Sequence, residues 1–190
     1  MNIANKLTLA RVILIPFFLL FLLVDAIPYN YTIATLIFVV ASITDAIDGS
    51  LARRRHLITD FGKFLDPLAD KALVISALIC FVELGWAWSV LIVIIIGREF
   101  LVTSLRLVAS TCEGTVIAAS IWGKLKTVSQ MVGIITILVL QSAIQISEKI
   151  ADILPVALIN SALMWIAMIF TVISGIQYMW QYRHTIDIKK

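Results

Sequence analysis

The chain has 190 residues, 61% of them hydrophobic and 14% charged, with a mean hydropathy of +1.03 and a formal net charge of +3. A soluble domain is about half apolar and about a quarter charged, so this composition excludes a water-soluble globular fold and puts most side chains against lipid. The small net charge matters less than where the charges fall. Two cysteines, Cys80 and Cys112, give no disulfide framework and read as packing thiols.

In chain order, residues 2–11 are weakly amphipathic, with Ile3, Leu7 and Ala10 on one side. They are expected to lie at the membrane interface before the chain turns inward. No small-residue cleavage site follows the apolar run 12–24, so that run reads as a retained helix rather than a signal peptide. A bilayer span needs roughly 20 mostly apolar residues. Six stretches qualify: about 7–26, 31–52, 63–84, 88–110, 122–145 and 155–181. Pro16 is expected to kink the first. No long linker interrupts the chain, so the expected fold is all-α: one polytopic membrane domain over 1–190, with six transmembrane helices and a short interfacial N-terminal segment.

Lysine and arginine placement orients the bundle. With the N-terminus inside, 14 of the 15 basic residues fall on the cytoplasmic side, and only Lys149 falls outside. Ionisable residues within spans then collect in the cytoplasmic halves. Asp45 and Asp48 end the second span, and Lys63, Asp66, Asp70 and Lys71 open the third. Arg98, Glu99 and Arg106 follow the apolar half of the fourth, and Lys124, Lys126 and Gln130 open the fifth. One wet cavity facing the cytoplasm is the simplest expectation.

Asp45 and Asp48 are spaced i, i+3, and Asp66 and Asp70 i, i+4, so each pair shares a helix face. The short connection predicts that the two helices are antiparallel neighbours. A carboxylate at the bilayer centre costs about 2.5–3.5 kcal/mol on insertion scales, less near the interface. Protonation or a divalent cation relieves the repulsion within the cluster. All-oxygen ligands favour Mg²⁺ or Mn²⁺ over zinc, and four carboxylates can hold two metals in a phosphoryl-transfer arrangement. Gly49, Ala52 and Gly62 allow close approach of a ligand, and Arg53 suits a phosphate. Pro67 fits a helix only in its first turn, which puts the start of the third helix near Asp66. Arg54 and Arg55 read as a topology signal with attraction for anionic lipid. A divalent-cation transporter is the competing reading, but the dry outer halves argue against a through-path.

The pattern D-x2-D-G-x2-A-R-x8-G-x3-D-x3-D, formed by Asp45, Asp48, Gly49, Ala52, Arg53, Gly62, Asp66 and Asp70, resembles the signature of the CDP-alcohol phosphatidyltransferase family. The resemblance implies displacement of CMP from a CDP-linked lipid by an alcohol. It implies that Asp45, Asp48, Asp66 and Asp70 hold two divalent ions, Mg²⁺ or Mn²⁺, and that Asp70 is also the catalytic base. Asp48, Gly49, Ala52, Arg53 and Gly62 are implied to bind the CDP group. The segments NIANKLTLARVILIP, REFLVTSLR and GKLKTVSQM resemble the branch of the family whose acceptor is sn-glycerol 3-phosphate. Ala4 departs from it, standing where many members carry proline.

Arg98, Arg106, Lys124 and Lys126 suit the phosphate of such an acceptor, whereas serine or another neutral alcohol would need fewer cations. Some of these side chains could instead snorkel to lipid phosphates. Glu99 and Arg106, spaced i, i+7, are expected to pair. Asn5, Thr8 and Arg11 are placed at the cavity mouth. Serine, inositol phosphate and phosphatidylglycerol are the alternative acceptors. The implied partners are CDP-diacylglycerol, sn-glycerol 3-phosphate and membrane lipid, with no nucleic acid, and a homodimer is compatible with the small residues of the third and fourth helices. The implied location is a bacterial-type cell membrane, multi-pass, with the active site facing the cytoplasm.

Overall fold

The computed structural model describes residues 3–55, 60–112 and 120–183, with side chains described within 9–44, 71–106 and 120–181 and at 183. Its elements are α1 (Ile3–Leu23), α2 (Asn30–Arg55), α3 (Asp60–Glu83), α4 (Ser89–Cys112), α5 (Ile121–Ile146), the short α6 (Lys149–Ile153) and α7 (Val156–Tyr182). No strand occurs among the described residues. The helices group into two compact units, one of residues 1–84 with 134–156, the other of residues 85–133 with 157–190.

Among the described residues, two helical segments, Ile121–Ile146 and Val156–Gln181, are long and apolar enough to cross a bilayer; Leu9–Leu23 and Asn30–Thr44 are shorter apolar stretches. α2 itself runs on beyond the second stretch, to Arg55. Outward faces are hydrocarbon: Leu36, Val40 and Ile43 form an exposed stripe on α2, and Leu158, Ile166, Ile169 and Ile176 are exposed on α7. Apolar residues on a helix's outer as well as its inner side belong to a membrane protein.

In the first unit, α1 packs against both α2 and α3. Phe18 and Phe38, both fully buried, meet with ring centroids 5.6 Å apart. The second half of α5 docks on the start of α2 through polar contacts. Thr35 Oγ1 and Ser142 Oγ lie 2.9 Å apart, and Gln145 Nε2 donates to Asn30 Oδ1 at 2.5 Å. Rising numbers on α2 meet falling numbers on α5, so the two run antiparallel. α3 ends at Glu83, and Gly85, two residues on, has a φ of +73°, the left-handed conformation common just past a helix end.

In the second unit, α4, α5 and α7 pack together. Trp122 meets Phe170 at 6.4 Å, and Gly133 faces Met164. These contacts run in opposite directions along α5 and α7, so the two are antiparallel. Arg98 meets Ser174 and Arg106 meets Tyr178, so α4 and α7 are parallel.

Two details differ from the sequence expectation. α1 is one unbroken helix from Ile3 through Pro16 to Leu23, so the segment expected to lie apart at the interface forms its first turns. α3 begins at Asp60, which puts Pro67 two turns inside it rather than in the first turn. Proline within a membrane helix is tolerated where neighbouring groups satisfy the freed carbonyl, here that of Lys63.

Candidate active site

The first unit orders the aspartate motif by helical register. The buried face of α2 runs Ala34, Phe38, Ala41. Continued at the same three- and four-residue steps, it reaches Asp45, Asp48 and Ala52. The buried face of α3 runs through Leu73, Ala77 and Phe81. Traced back towards the N-terminus, it reaches Asp70, Asp66 and Gly62. α1, which touches both helices, has its own buried face in Arg11, Phe18 and Leu22. Arg11 is only 4% exposed, more enclosed than a cavity-mouth position implies.

The side chains of Asp45, Asp48, Gly49, Ala52, Arg53, Gly62, Asp66 and Asp70 lie outside the described residues, as do those of Asn5 and Thr8. The backbone of α2 and α3 spaces Asp45 from Asp48, and Asp66 from Asp70, by about one helical turn. Carboxylate oxygens suit a hard divalent cation. Among the described residues, no other group of histidine, cysteine, aspartate or glutamate could hold a metal.

The second unit shows its cationic residues in full. On α4, Ile92, Ile95, Glu99 and Val102 are buried in succession, so Glu99 sits on the inward face. It forms an ion pair with Lys126 of α5, itself 7% exposed, and Arg98 Nη1 reaches the same carboxylate at 3.4 Å. The expected Glu99–Arg106 pairing is replaced by these contacts, while Arg106 Nη2 donates to the hydroxyl of Tyr178. Arg98 Nη2 donates to Ser174 Oγ at 2.6 Å. Both guanidiniums lie over the Tyr178 ring, 5.7 Å (Arg98) and 4.7 Å (Arg106) from its centre. Gln130, one turn after Lys126, is buried with its Nε2 lacking a hydrogen-bond partner.

Arg98, Arg106 and Lys126 therefore belong to one cluster. Lys124 does not join it: two residues from Lys126, it falls on the far side of α5 and is exposed. Ser174 and Tyr178, both essentially fully buried, were not anticipated, although they hold both arginines. The available signal was a polar face, Thr171, Ser174 and Tyr178, at steps of three and four near the end of an otherwise apolar helix.

The profile of the CDP-alcohol phosphatidyltransferase family matches residues 1–173. A Bacillus subtilis protein named CDP-diacylglycerol–glycerol-3-phosphate 3-phosphatidyltransferase is 40% identical over 189 residues, covering 93% of this chain and 93% of its own. A Haemophilus influenzae protein of the same name is 40% identical over 183 residues, covering 94% of this chain and 91% of its own. The Escherichia coli protein of that name is 44% identical over 138 residues, 70% of this chain and 74% of its own. The family match over most of the chain, with relatives at this identity and coverage, shows that the chain belongs to the CDP-alcohol phosphatidyltransferase family.

Proposed function

We propose that the protein transfers the phosphatidyl group of CDP-diacylglycerol to sn-glycerol 3-phosphate, giving phosphatidylglycerophosphate and CMP in phospholipid synthesis. The carrying observation is the eight-residue signature, divided between α2 and α3. The names of its full-length relatives support the same acceptor.

In this reading Asp45, Asp48, Asp66 and Asp70 hold two divalent ions, Mg²⁺ or Mn²⁺. Bound there, such ions neutralise the diphosphate and stabilise the departing CMP oxygen. Gly49, Ala52 and Gly62 give the nucleotide close access to backbone, with Arg53 on its phosphate. Asp70 accepts the proton of the acceptor's 1-hydroxyl. That oxygen forms a bond to the β-phosphorus as the bond from phosphorus to the CMP oxygen breaks. Arg98, Arg106 and Lys126 hold the acceptor's phosphate. Lys124, exposed on α5, suits anionic lipid at the membrane surface.

The same reading makes the chain one domain, multi-pass in a bacterial-type cell membrane. α1 to α5 and α7 are its six spans, and its active site faces the cytoplasm. The antiparallel α2–α5 and α5–α7 contacts and the parallel α4–α7 contacts support alternating spans. Homodimerisation through small residues is compatible with this arrangement.

The test is product identification. Purified protein in detergent with Mg²⁺ or Mn²⁺ is given CDP-diacylglycerol and, separately, glycerol 3-phosphate, glycerol, serine, inositol phosphate and phosphatidylglycerol. CMP release with phosphatidylglycerophosphate only in the glycerol 3-phosphate arm is expected. Preference for another acceptor would refute the assignment while leaving the reaction class intact.

A further inference from the structure

The geometry points to a positioning bracket on α7, made of Ser174, Gly175 and Tyr178, that presets Arg98 and Arg106 and thereby selects an acceptor bearing a phosphomonoester over a neutral alcohol. This inference rests on the functional reading above and assigns roles to residues outside the aspartate motif. All three bracket residues lie beyond the 1–173 segment matched by the family profile.

Each part of the bracket has a distinct task. Ser174 is fully buried, and its hydroxyl oxygen accepts from Arg98 Nη2 at 2.6 Å. Gly175 gives the stem of Arg98 its place: a Cβ there would meet Arg98 Cγ at 3.0 Å and Nε at 3.7 Å. Tyr178 is 1% exposed, and its ring lies beneath both guanidiniums while its hydroxyl accepts from Arg106. One buried aromatic side chain thus holds two like charges that would otherwise separate.

A flexible arginine loses rotamer freedom when it binds a ligand, and prior fixing removes part of that cost. The bracket itself holds the arginines with neutral groups, a hydroxyl and a phenol, and the one carboxylate that Arg98 reaches, Glu99, is shared with Lys126, so the cluster of Arg98, Arg106, Lys126 and Glu99 keeps a net positive charge. Arg98 Nε is buried without a hydrogen-bond partner, and Arg106 keeps an exposed side while touching Tyr178. A planar guanidinium with donors still available is the group that binds phosphate bidentately. A neutral hydroxyl compound gains little from it.

The experiment compares wild type with Tyr178→Phe, Ser174→Ala and Gly175→Ala in purified full-length protein. KM is measured for glycerol 3-phosphate and for CDP-diacylglycerol. Thermal stabilisation by glycerol 3-phosphate alone is a second readout. Tyr178→Phe keeps the ring and loses one hydrogen bond to a charged group, so KM for glycerol 3-phosphate should rise about tenfold. Gly175→Ala removes no polar atom, yet should raise the same KM several-fold by displacing Arg98. KM for CDP-diacylglycerol should be unchanged, and the thermal stabilisation should shrink in parallel.

A KM for glycerol 3-phosphate within twofold of wild type in these variants would overturn the bracket. So would an equal rise in both KM values, which would mean that the donor phosphates are the ligand. Failure of all three variants to fold would make the bracket purely structural and also overturn the proposal. Wild-type protein that makes no product from glycerol 3-phosphate fails the functional reading itself, a separate outcome.

Discussion

Glu99 of α4 and Lys126 of α5 form an ion pair with both side chains nearly enclosed, 11% and 9% exposed. Two charges at this burial are stable only together, because each alone bears the full desolvation cost. Glu99→Gln should destabilise the protein by about 3–5 kcal/mol, the usual cost of breaking a buried pair from one side. Thermal unfolding in detergent measures it. The double variant Glu99→Gln/Lys126→Met should lose less than the sum of the single variants, since no orphaned ammonium remains. If Lys126 also binds the acceptor phosphate, glycerol 3-phosphate should restore part of the stability of Glu99→Gln. An additive double variant would show that the two residues are not coupled.

The Thr35–Ser142 contact lies between helices rather than beside an aqueous site. Each hydroxyl also donates to its own helix, Thr35 to the Tyr31 carbonyl and Ser142 to the Leu138 carbonyl. A single proton cannot serve both bonds at once, so the interhelical bond shares its donor with a local one. Interhelical hydrogen bonds in membrane proteins average about 0.6 kcal/mol in double-mutant cycles. A Thr35→Val, Ser142→Ala cycle should therefore give a coupling of about 0.5 kcal/mol, and catalysis should be unchanged. A coupling above about 2 kcal/mol would show that the contact carries more than this shared geometry allows.

At Gly133, α5 passes close to α7. A Cβ there would meet Met164 Cε at 3.1 Å and the backbone oxygen of Leu163 at 3.8 Å. The tight contact is with the mobile end of a methionine, which can move by a few tenths of an ångström. Gly133→Ala should therefore be within about 1 kcal/mol of neutral, the lost packing offset by the gain in helix propensity. Gly133→Leu cannot be accommodated by Met164 alone and should cost about 1–3 kcal/mol as overpacking. Parallel unfolding measurements on the two variants separate these outcomes.

The long helices were legible because hydrocarbon runs of bilayer length have few alternatives. Their ends were less legible. Hydropathy stops where charge begins, but the backbone ladder does not, so α2 continues through Arg53 to Arg55 and α3 starts at Asp60. The same habit placed Pro67 in a first turn that begins seven residues earlier. At the cationic cluster, charge and proximity in sequence grouped Lys124 with Lys126, although a two-residue step turns a helix by about 200°. Ser174 and Tyr178 are not legible in the sequence because they are neutral and stand in a strongly apolar helix. Their roles depend on α7 running parallel to α4, a tertiary fact with no local signature.

The aspartate motif leads to the sharpest catalytic expectation. Asp48 stands on α2 and Asp70 on α3, each one helical turn from a second aspartate. A change to asparagine preserves size and much of the hydrogen bonding while removing one negative charge. If Asp48 only packed, Asp48→Asn would leave turnover nearly intact and relieve repulsion with Asp45. As a metal ligand, Asp48→Asn should instead lower CMP release by at least about a hundredfold, and raising Mg²⁺ or Mn²⁺ should recover part of it. Asp70→Asn should lose a proton acceptor as well as a ligand, a further loss of about 10²–10⁴ from general-base catalysis that no metal concentration restores. Chelation of wild type should abolish CMP release, and either ion should bring it back. The contrast in metal rescue between Asp48→Asn and Asp70→Asn separates ligand from base, and equal rescue of both would remove the base assignment from Asp70.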